Sequence, residues 1–236
     1  LFRSQYSAID TQNHSIVHTW EAGSNLYAGA TAAADETVFL LRAKWAREKT
    51  NQAVELVQVD PQTGEETALH LVHPQEKAIN FMKIASTPVL SGDEKTLFFV
   101  VNIDDHACMM AYSRENNAIL WQKSIKRHIL TTPTLRLDGN LVLTDLNGNV
   151  LIIEPEKGET LHTYHSNTYY ILSSPVSDSA GVVYFGDIEG KIHAVQPDGQ
   201  GQVIYTTGRC IQSRPAFDSA GRLLVPSMNG ILHALS

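Results

Sequence analysis

Three acidic or amide-rich segments have a spacing that could begin a calcium-binding loop. They are Asp145-Leu146-Asn147-Gly148, Asp187-Ile188-Glu189-Gly190 and Asn102-Ile103-Asp104-Asp105. A calcium loop places oxygen side chains at positions i and i+2, but it also needs further ligands and a bidentate glutamate at its end, which these segments lack. They also recur at one fixed place in a repeat. We therefore interpret them as hairpin turns and predict no metal site.

The ten histidines of the chain do not form a metal-binding pattern either. Two pairs have i, i+3 spacing, namely His70 with His73 and His162 with His165. Residues three apart on a β-strand point to opposite faces, so neither pair can chelate one ion. His193 and His233 fall at equivalent positions of the repeat, which marks them as part of its pattern rather than as ligands.

Arg214 stands where other copies of the repeat carry a hydroxyl side chain. We expect the Ser/Thr doublets on the innermost strand of each unit, where their hydroxyls satisfy backbone groups. Arg214 would then direct a permanent charge toward the centre of the repeated structure. There it could bind a carboxylate or another small anion, or it could form an internal salt bridge with an acidic neighbour.

A polar insertion from Ala43 to Ala53 holds an aromatic residue among cations. It contains Trp45 and Arg47, and it also carries Lys44 and Lys49. An exposed tryptophan beside cations is typical of a protein-interaction surface, so Trp45 and Arg47 are candidate contact residues. The alternative is a longer hairpin in which Trp45 packs on its own sheet.

A short pattern ending in proline recurs four times and sets the organisation of the chain. The copies are Ala85-Ser86-Thr87-Pro88, Leu130-Thr131-Thr132-Pro133, Leu172-Ser173-Ser174-Pro175 and Gln212-Ser213-Arg214-Pro215. Their prolines are 45, 42 and 40 residues apart. Each copy continues with short β-branched or aromatic runs between Gly, Asn and Asp turn signals, which predict strands. Four strands per copy, repeated at this period, predict an all-β fold, a β-propeller of four-stranded antiparallel blades.

The repeat divides the chain into about five blades within one domain. The expected boundaries are a partial blade at 1–28, blades at about 29–83, 84–128, 129–170 and 171–210, and a partial blade at 211–236. An N-terminal strand at Ile16–Trp20 could complete the last blade and close a five-bladed ring. A surplus strand at Tyr6–Asp10 instead favours part of a larger propeller, and both interpretations stay open. Because the chain begins with Leu, we expect that an upstream portion was removed.

Composition limits the possible partners. The formal net charge of −7 and the pI of about 5.8 argue against a nucleic-acid surface, which needs clustered Lys and Arg. No apolar stretch approaches the roughly 20 residues of a transmembrane helix. Cys108 and Cys210 occupy non-equivalent places in the repeat, and we expect two buried thiols rather than a disulfide.

The segment from Ser173 to Val195 resembles the repeat of pyrroloquinoline-quinone (PQQ)-type β-propellers. It joins Ser-Ser-Pro, an apolar strand, Gly186-Asp187-Ile188-Glu189-Gly190 and an apolar strand ending in His193-Ala194-Val195. Asp60-Pro61-Gln62-Thr63-Gly64 is similar to the family's turn between third and fourth strands. Nearly the whole chain shares the pattern, apart from the insertion.

The resemblance implies more about fold than about activity. The family contains quinoprotein dehydrogenases and non-catalytic relatives, including outer-membrane assembly lipoproteins and sensor domains. The dehydrogenases have adjacent cysteines, eight blades and a calcium set that this chain does not match, so no catalytic residue is transferred and no cofactor is expected. The resemblance favours a non-enzymatic scaffold for protein or peptide partners in the periplasm or outside the cell. One alternative is small-molecule binding at the channel mouth near Arg214, and another is a quinone-dependent dehydrogenase using PQQ with calcium.

Overall fold

Antiparallel β-strands form all the regular secondary structure of the described residues. The computed structural model describes residues 4–23, 28–45, 52–72, 86–103 and 105–236. Within these ranges, the strands form six sheets, of which four have four strands each. No helix that could cross a membrane occurs in this part of the chain. The all-β prediction is therefore confirmed, as is the four-stranded unit.

The chain divides into two compact units, Leu1–Lys126 and Arg127–Ser236, which we describe separately. In the first unit, sheet 1 contains β1 (Ser4–Ile9) and β2 (Ile16–Gly23). Sheet 2 contains β3 (Thr31–Ala32), β4 (Val38–Trp45), β5 (Gln52–Val59) and β6 (Glu66–Val72). Sheet 3 contains β7 (Val89–Leu90), β8 (Thr96–Ile103), β9 (His106–Ser113) and β10 (Ala118–Ile125).

The second unit holds the other three sheets. Sheet 4 contains β11 (Thr134–Leu135), β12 (Leu141–Thr144), β13 (Asn149–Ile153) and β14 (Thr160–His165). Sheet 5 contains β15 (Val176–Ser177), β16 (Val183–Gly186), β17 (Lys191–Val195) and β18 (Gly201–Thr206). Sheet 6 contains β19 (Ala216–Phe217), β20 (Leu223–Pro226) and β21 (Leu232–Leu235). The expected single domain and its blade boundaries stay a prediction.

Alternation along the central strands builds the core between neighbouring sheets. In β4, Phe39 and Leu41 pack with residues of sheet 3, whereas Leu40 packs with Trp20 of sheet 1. In β16, Phe185 packs toward sheet 4, and Tyr184 joins the cluster shared with sheet 6. Successive side chains point to opposite faces, so each central strand is buried on both sides. Burial of one such large apolar side chain stabilises the fold by about 1.5–3 kcal/mol.

The first strand of each complete sheet contains only two residues and begins after the repeat's proline or its equivalent. Proline has no N–H to donate, and it restricts the residue before it to extended conformations. The Ser/Thr doublets, which we predicted on the innermost strand, therefore lie in the connection that precedes it; Ser173 and Ser174, for example, come before β15. That detail of the prediction is wrong.

The polar insertion lengthens a hairpin. Strands β4 and β5 pair in continuous register as far as Trp45 with Gln52. Residues 43–45 and 52–53 of the predicted insertion are therefore strand residues, while 46–51 lie outside the described residues. The pairing of β4 with β5 agrees with the alternative of a longer hairpin. It does not test whether the insertion forms an interaction surface.

Candidate interaction surface

Hydroxyl side chains at or just before the first strands connect neighbouring sheets within each unit. In the first unit, Thr31 Oγ1 donates to the Pro88 carbonyl at 2.7 Å, and Thr87 Oγ1 accepts from the Gly29 amide at 2.8 Å. In the second unit, Ser174 Oγ accepts from the Thr132 amide at 2.9 Å. The same contact thus recurs between successive copies of the proline motif. The prediction that these hydroxyls satisfy backbone groups is confirmed.

Arg214 occupies the position of Thr87 and Ser174 in the last copy. Its Nη2 lies 3.5 Å from Thr134 Oγ1, a residue of sheet 4. Partial burial lowers the pKa of its guanidinium. Among the described residues, no carboxylate lies within salt-bridge distance of it, so the internal salt bridge considered above is not found there. Whether Arg214 binds a ligand stays a prediction.

The other two predicted contact residues can be only partly placed. Trp45 is the last residue of β4, and Arg47 lies outside the described residues. Arg42, in the same hairpin, forms an ion pair with buried Glu55 at 2.9 Å and a second with Glu66. These pairs join β4 to β5 and β6 of the same sheet, so the charge of Arg42 is used within the sheet. The interaction role of Trp45 and Arg47 stays a prediction.

The acidic segments at 145–148 and 187–190 are hairpin turns, as predicted, whereas the segment at 102–105 includes a residue outside the described ones. Asp187 Oδ1 accepts hydrogen bonds from the amides of Glu189 and Lys191, each at 2.9 Å. Asp145 makes the equivalent bonds in sheet 4. In the described part of the chain, no three His, Cys, Asp or Glu side chains are grouped as metal ligands. The carboxylates therefore cap turns.

A buried chain of hydrogen bonds links sheets 4 and 5. His193 Nε2 lies 3.0 Å from Asp187 Oδ2, and Tyr164 OH lies 3.1 Å from His193 Nδ1. An ionised aspartate can only accept, so Nε2 carries the proton and Nδ1 accepts from the tyrosine. The His193 ring stacks on Phe185 with centroids 4.7 Å apart. Burial opposes ionisation of Asp187, but the bonds from His193 and the turn amides outweigh it and lower its pKa.

His233 shows how far this chain of bonds depends on its neighbours. It is the repeat equivalent of His193, but Ser227 replaces the aspartate, and its buried Nε2 has no hydrogen-bond partner in the structure. Sequence reasoning identified the equivalence and missed the network. The available signal was the pairing of Asp187 with His193 six residues later, opposite a tyrosine on the preceding fourth strand.

A polar recess of about 460 Å³ lies in the first unit. Arg114 lines it and is fixed by a 2.8 Å ion pair with Asp35 and by a hydrogen bond to the Glu94 carbonyl. Its guanidinium also lies 4.8 Å from the centre of the Phe39 ring. The remaining lining residues are mostly charged or amide side chains of turns, namely Gln58, Leu69, Asp93, Glu94, Lys95, Tyr112, Glu115 and Asn117. The charge of Arg114 is thus used within the fold.

The two ends of the sheets in residues 127–236 differ in charge. One end, which we call the acidic end, carries the turns at 136–140, 154–159, 178–182, 196–200 and 218–222. Its acids outnumber its cations, and they are Asp138, Glu154, Glu156, Glu159, Asp178, Asp198 and Asp218. Two of the three cations there are paired, Arg136 with Asp138 and Arg222 with Asp218.

The opposite end, which we call the tyrosine end, carries the turns at 145–149, 187–191 and 227–231 and the connections between sheets at 127–133, 166–175 and 207–215. Here Arg127 and Arg209 are exposed, and two of the three acids are buried. Tyr169 and Tyr170 are 72% and 54% exposed. This end therefore combines exposed aromatic rings with exposed arginines.

Comparison with known proteins agrees with this architecture. Residues 83–209 match the family of the outer membrane protein assembly factor BamB. The BamB of Alkalilimnicola ehrlichii is 26% identical over 107 residues, which are 45% of this chain and 27% of that protein. The matched segment therefore spans about a quarter of that relative.

Solved structures share the fold at low identity. The crystal structure of BamB from Moraxella catarrhalis superposes with a TM-score of 0.74 at 15% identity and covers 98% of this chain and 66% of that one. The Dos1 propeller superposes with a TM-score of 0.69 at 9% identity and covers 98% of this chain and 61% of that one. The fold is a β-propeller, as predicted.

Proposed function

The chain belongs to the family of the outer membrane protein assembly factor BamB, and on that premise we propose that it is a non-enzymatic β-propeller scaffold that binds a protein partner in the periplasm. The observation that carries the proposal is the family match over residues 83–209, which includes all of sheets 3, 4 and 5. The role in outer membrane assembly comes from the names of the relatives. The periplasmic location is proposed on the same ground.

The turns at the sheet ends suit a scaffold because they are held by short hydrogen bonds. Asp178 Oδ1 accepts from the amides of Ala180 and Val182, each at 2.9 Å, and Asp218 repeats the arrangement in the next sheet. Loops on a rigid β-framework present side chains in fixed positions, which reduces the entropy lost on binding. We propose that the partner docks on such an end.

We propose no quinone or metal cofactor for this activity. The purified protein should lack quinone absorbance, and PQQ with calcium should leave its melting temperature unchanged. Quinone absorbance, or a melting temperature raised by PQQ with calcium, would instead favour the dehydrogenase alternative.

Co-purification from cell envelopes tests the scaffold. The chain, tagged and expressed in a host of the same kind as its relatives, should be recovered from the periplasm and should capture a component of the outer membrane protein assembly machinery in a stable ratio. Recovery from the cytoplasm only, or capture without any assembly component, would contradict the proposal. A propeller of unrelated family with the same tag is the matched control.

Arg214 supports a second candidate function, small-anion binding near the first strands of sheets 4 to 6. Its guanidinium has no carboxylate partner among the described residues, and burial lowers its pKa. Small carboxylates should then raise the melting temperature of the wild type and not that of Arg214→Gln. Equal shifts in both proteins would remove this candidate.

A further inference from the structure

Two exposed tyrosines project from the connection between β14 and β15. Tyr169 and Tyr170 are adjacent in sequence and are 72% and 54% exposed. Single exposed apolar residues are ordinary on protein surfaces, whereas large aromatic side chains grouped together are typical of binding anchors. Tyrosine is suited to this because it offers apolar area and a hydroxyl with few rotatable bonds.

Buried polar side chains hold the backbone of the connection that carries the tyrosines. Ser166 and Thr168 are buried, and Ser166 Oγ donates to the Gly148 carbonyl at 2.8 Å. The approach is so close that a Cβ on Gly148 would lie 1.9 Å from the Thr168 carbonyl oxygen. The rings therefore stand on a backbone that is already ordered, so binding would cost little conformational entropy.

Tyr170 has a left-handed backbone conformation that its equivalents in the repeat lack. Its φ is 60°, in the left-handed region that costs a bulky residue about 1–2 kcal/mol. Tyr170 lies five residues before Pro175. Its equivalents, His128 before Pro133 and Cys210 before Pro215, do not have positive φ. Strain kept at an exposed side chain is a feature of functional sites.

Backbone hydrogen bonds through Leu146 connect the tyrosine connection to the one that carries His128. The Leu146 amide donates to the His128 carbonyl at 3.1 Å, and the Leu146 carbonyl accepts from the Tyr170 amide at 3.1 Å. Exposed Arg127 directly precedes His128, so its backbone is one residue from this pair of hydrogen bonds. In the turns and connections of this end, all of which the structure describes, the one exposed carboxylate is Glu189, and it pairs with Lys191.

We propose that this surface, the tyrosine patch, binds an acidic segment of a protein partner. The patch consists of Arg127, His128, Leu146, Asn147, Tyr169 and Tyr170. Arg127 would pair with carboxylates of the segment, and the two rings would cover its apolar atoms. The assignment rests on the proposed scaffold function and adds the docking site and the chemistry of the partner.

Charge and shape favour a protein over an anionic membrane. Membrane-binding basic clusters contain about 4–8 Lys and Arg residues, whereas the patch has one arginine and one histidine. Its rings also stand on a rigid connection, and Asn147 supplies a side-chain amide for hydrogen bonding.

A labelled synthetic peptide of Asp, Glu and Leu is the probe, and a peptide with Asn and Gln in place of the acids is its control. Fluorescence anisotropy at low salt should show binding of the acidic peptide only. Tyr169→Ala and Arg127→Glu should each weaken binding by about tenfold or more. Leu137→Ala, at the acidic end where Leu137 is 80% exposed, should change nothing.

Each other outcome overturns the assignment. Equal binding of both peptides, equal affinity in all variants, or no binding would remove the patch, and tighter binding to phosphatidylglycerol vesicles would assign it to a membrane. The scaffold function fails separately. If Tyr169→Ala captured the assembly machinery at the wild-type level, the scaffold function would stand and the tyrosine patch would be rejected. If the wild type bound the acidic peptide but captured no assembly component, the patch would stand and the scaffold function would be rejected.

Discussion

The acidic end and the tyrosine end of residues 127–236 are built from the same kind of turn but use their side chains differently. At the acidic end, Asp218 is partly buried, caps two amides and pairs with exposed Arg222. At the tyrosine end, Asp187 caps two amides in the same way, but it is fully buried and bonds His193. Buried hydrogen bonds of Asp187 therefore help to hold the tyrosine end.

The difference separates structural charge from functional surface. Much of the net charge of −7 comes from turn-capping carboxylates, whose position follows from backbone geometry. Tyr169, Tyr170 and Arg127 cap nothing. An exposed residue that the fold does not use is a better candidate for binding than one that satisfies a turn.

The largest expected effect is that of Asp187→Ala. It removes two amide caps and leaves His193 without its acceptor in a buried site, so we expect a loss of about 3 kcal/mol in the free energy of unfolding. Urea denaturation measures it. Asp218→Ala, which removes two equivalent caps and an ion pair with exposed Arg222, is the matched control and should shift the midpoint far less. Equal losses would mean that the two ends are held alike.

The next effect is that of Gly148→Ala. The new Cβ would lie 1.9 Å from the Thr168 carbonyl oxygen at a φ of +79°, so the tyrosine connection must move, at a cost of about 2–3 kcal/mol. Gly139→Ala at the acidic end has a similar φ of +84° and open space around it, and should cost only about 1 kcal/mol. Thermal denaturation distinguishes the two. A cost for Gly148→Ala no greater than that for Gly139→Ala would show that the connection is not fixed there.

The contribution of Asp187 should depend on pH. Its pKa is lower in the folded protein than in the unfolded chain, so its ionised form stabilises the fold at neutral pH. That stabilisation is complete above the unfolded pKa, near 4, and is lost as the pH falls through the folded pKa. The difference in unfolding free energy between the wild type and Asp187→Asn should therefore shrink below about pH 4. A difference independent of pH would contradict the ionised assignment.

The smallest effect on stability is expected for Tyr170→Gly. Relief of the strained φ offsets the added freedom of the unfolded chain, so the free energy of unfolding should stay within about 0.5 kcal/mol of the wild type. Binding of the acidic peptide should nevertheless weaken. A variant that loses stability by more would show that the Tyr170 ring packs in the fold.

The repeat made the architecture predictable, because local turn signals and apolar runs recur in each copy. The proline motif located the first strands, although its doublets precede those strands. The bond between Tyr164 and His193 was not predictable in the same way, because it joins residues 29 positions apart across two sheets.

The candidate site was predicted less well than the fold. Arg214 was recognised as a departure from the repeat, and its ligand stays a prediction. Trp45 and Arg47 drew attention by composition, and their contact role stays a prediction as well. We did not predict Tyr169 and Tyr170 as contact residues, because only the structure shows that their side chains are exposed while Ser166 and Thr168 of the same connection are buried.

Photo-cross-linking in living cells tests the central claim most directly. A photoreactive amino acid placed at Tyr169, and in a second strain at Leu137, compares the two ends at similarly exposed positions. We expect a cross-link from position 169 to a component of the outer membrane protein assembly machinery and none from position 137. The account would be contradicted if only position 137 gave a cross-link, or if neither position gave a cross-link to a component of the assembly machinery.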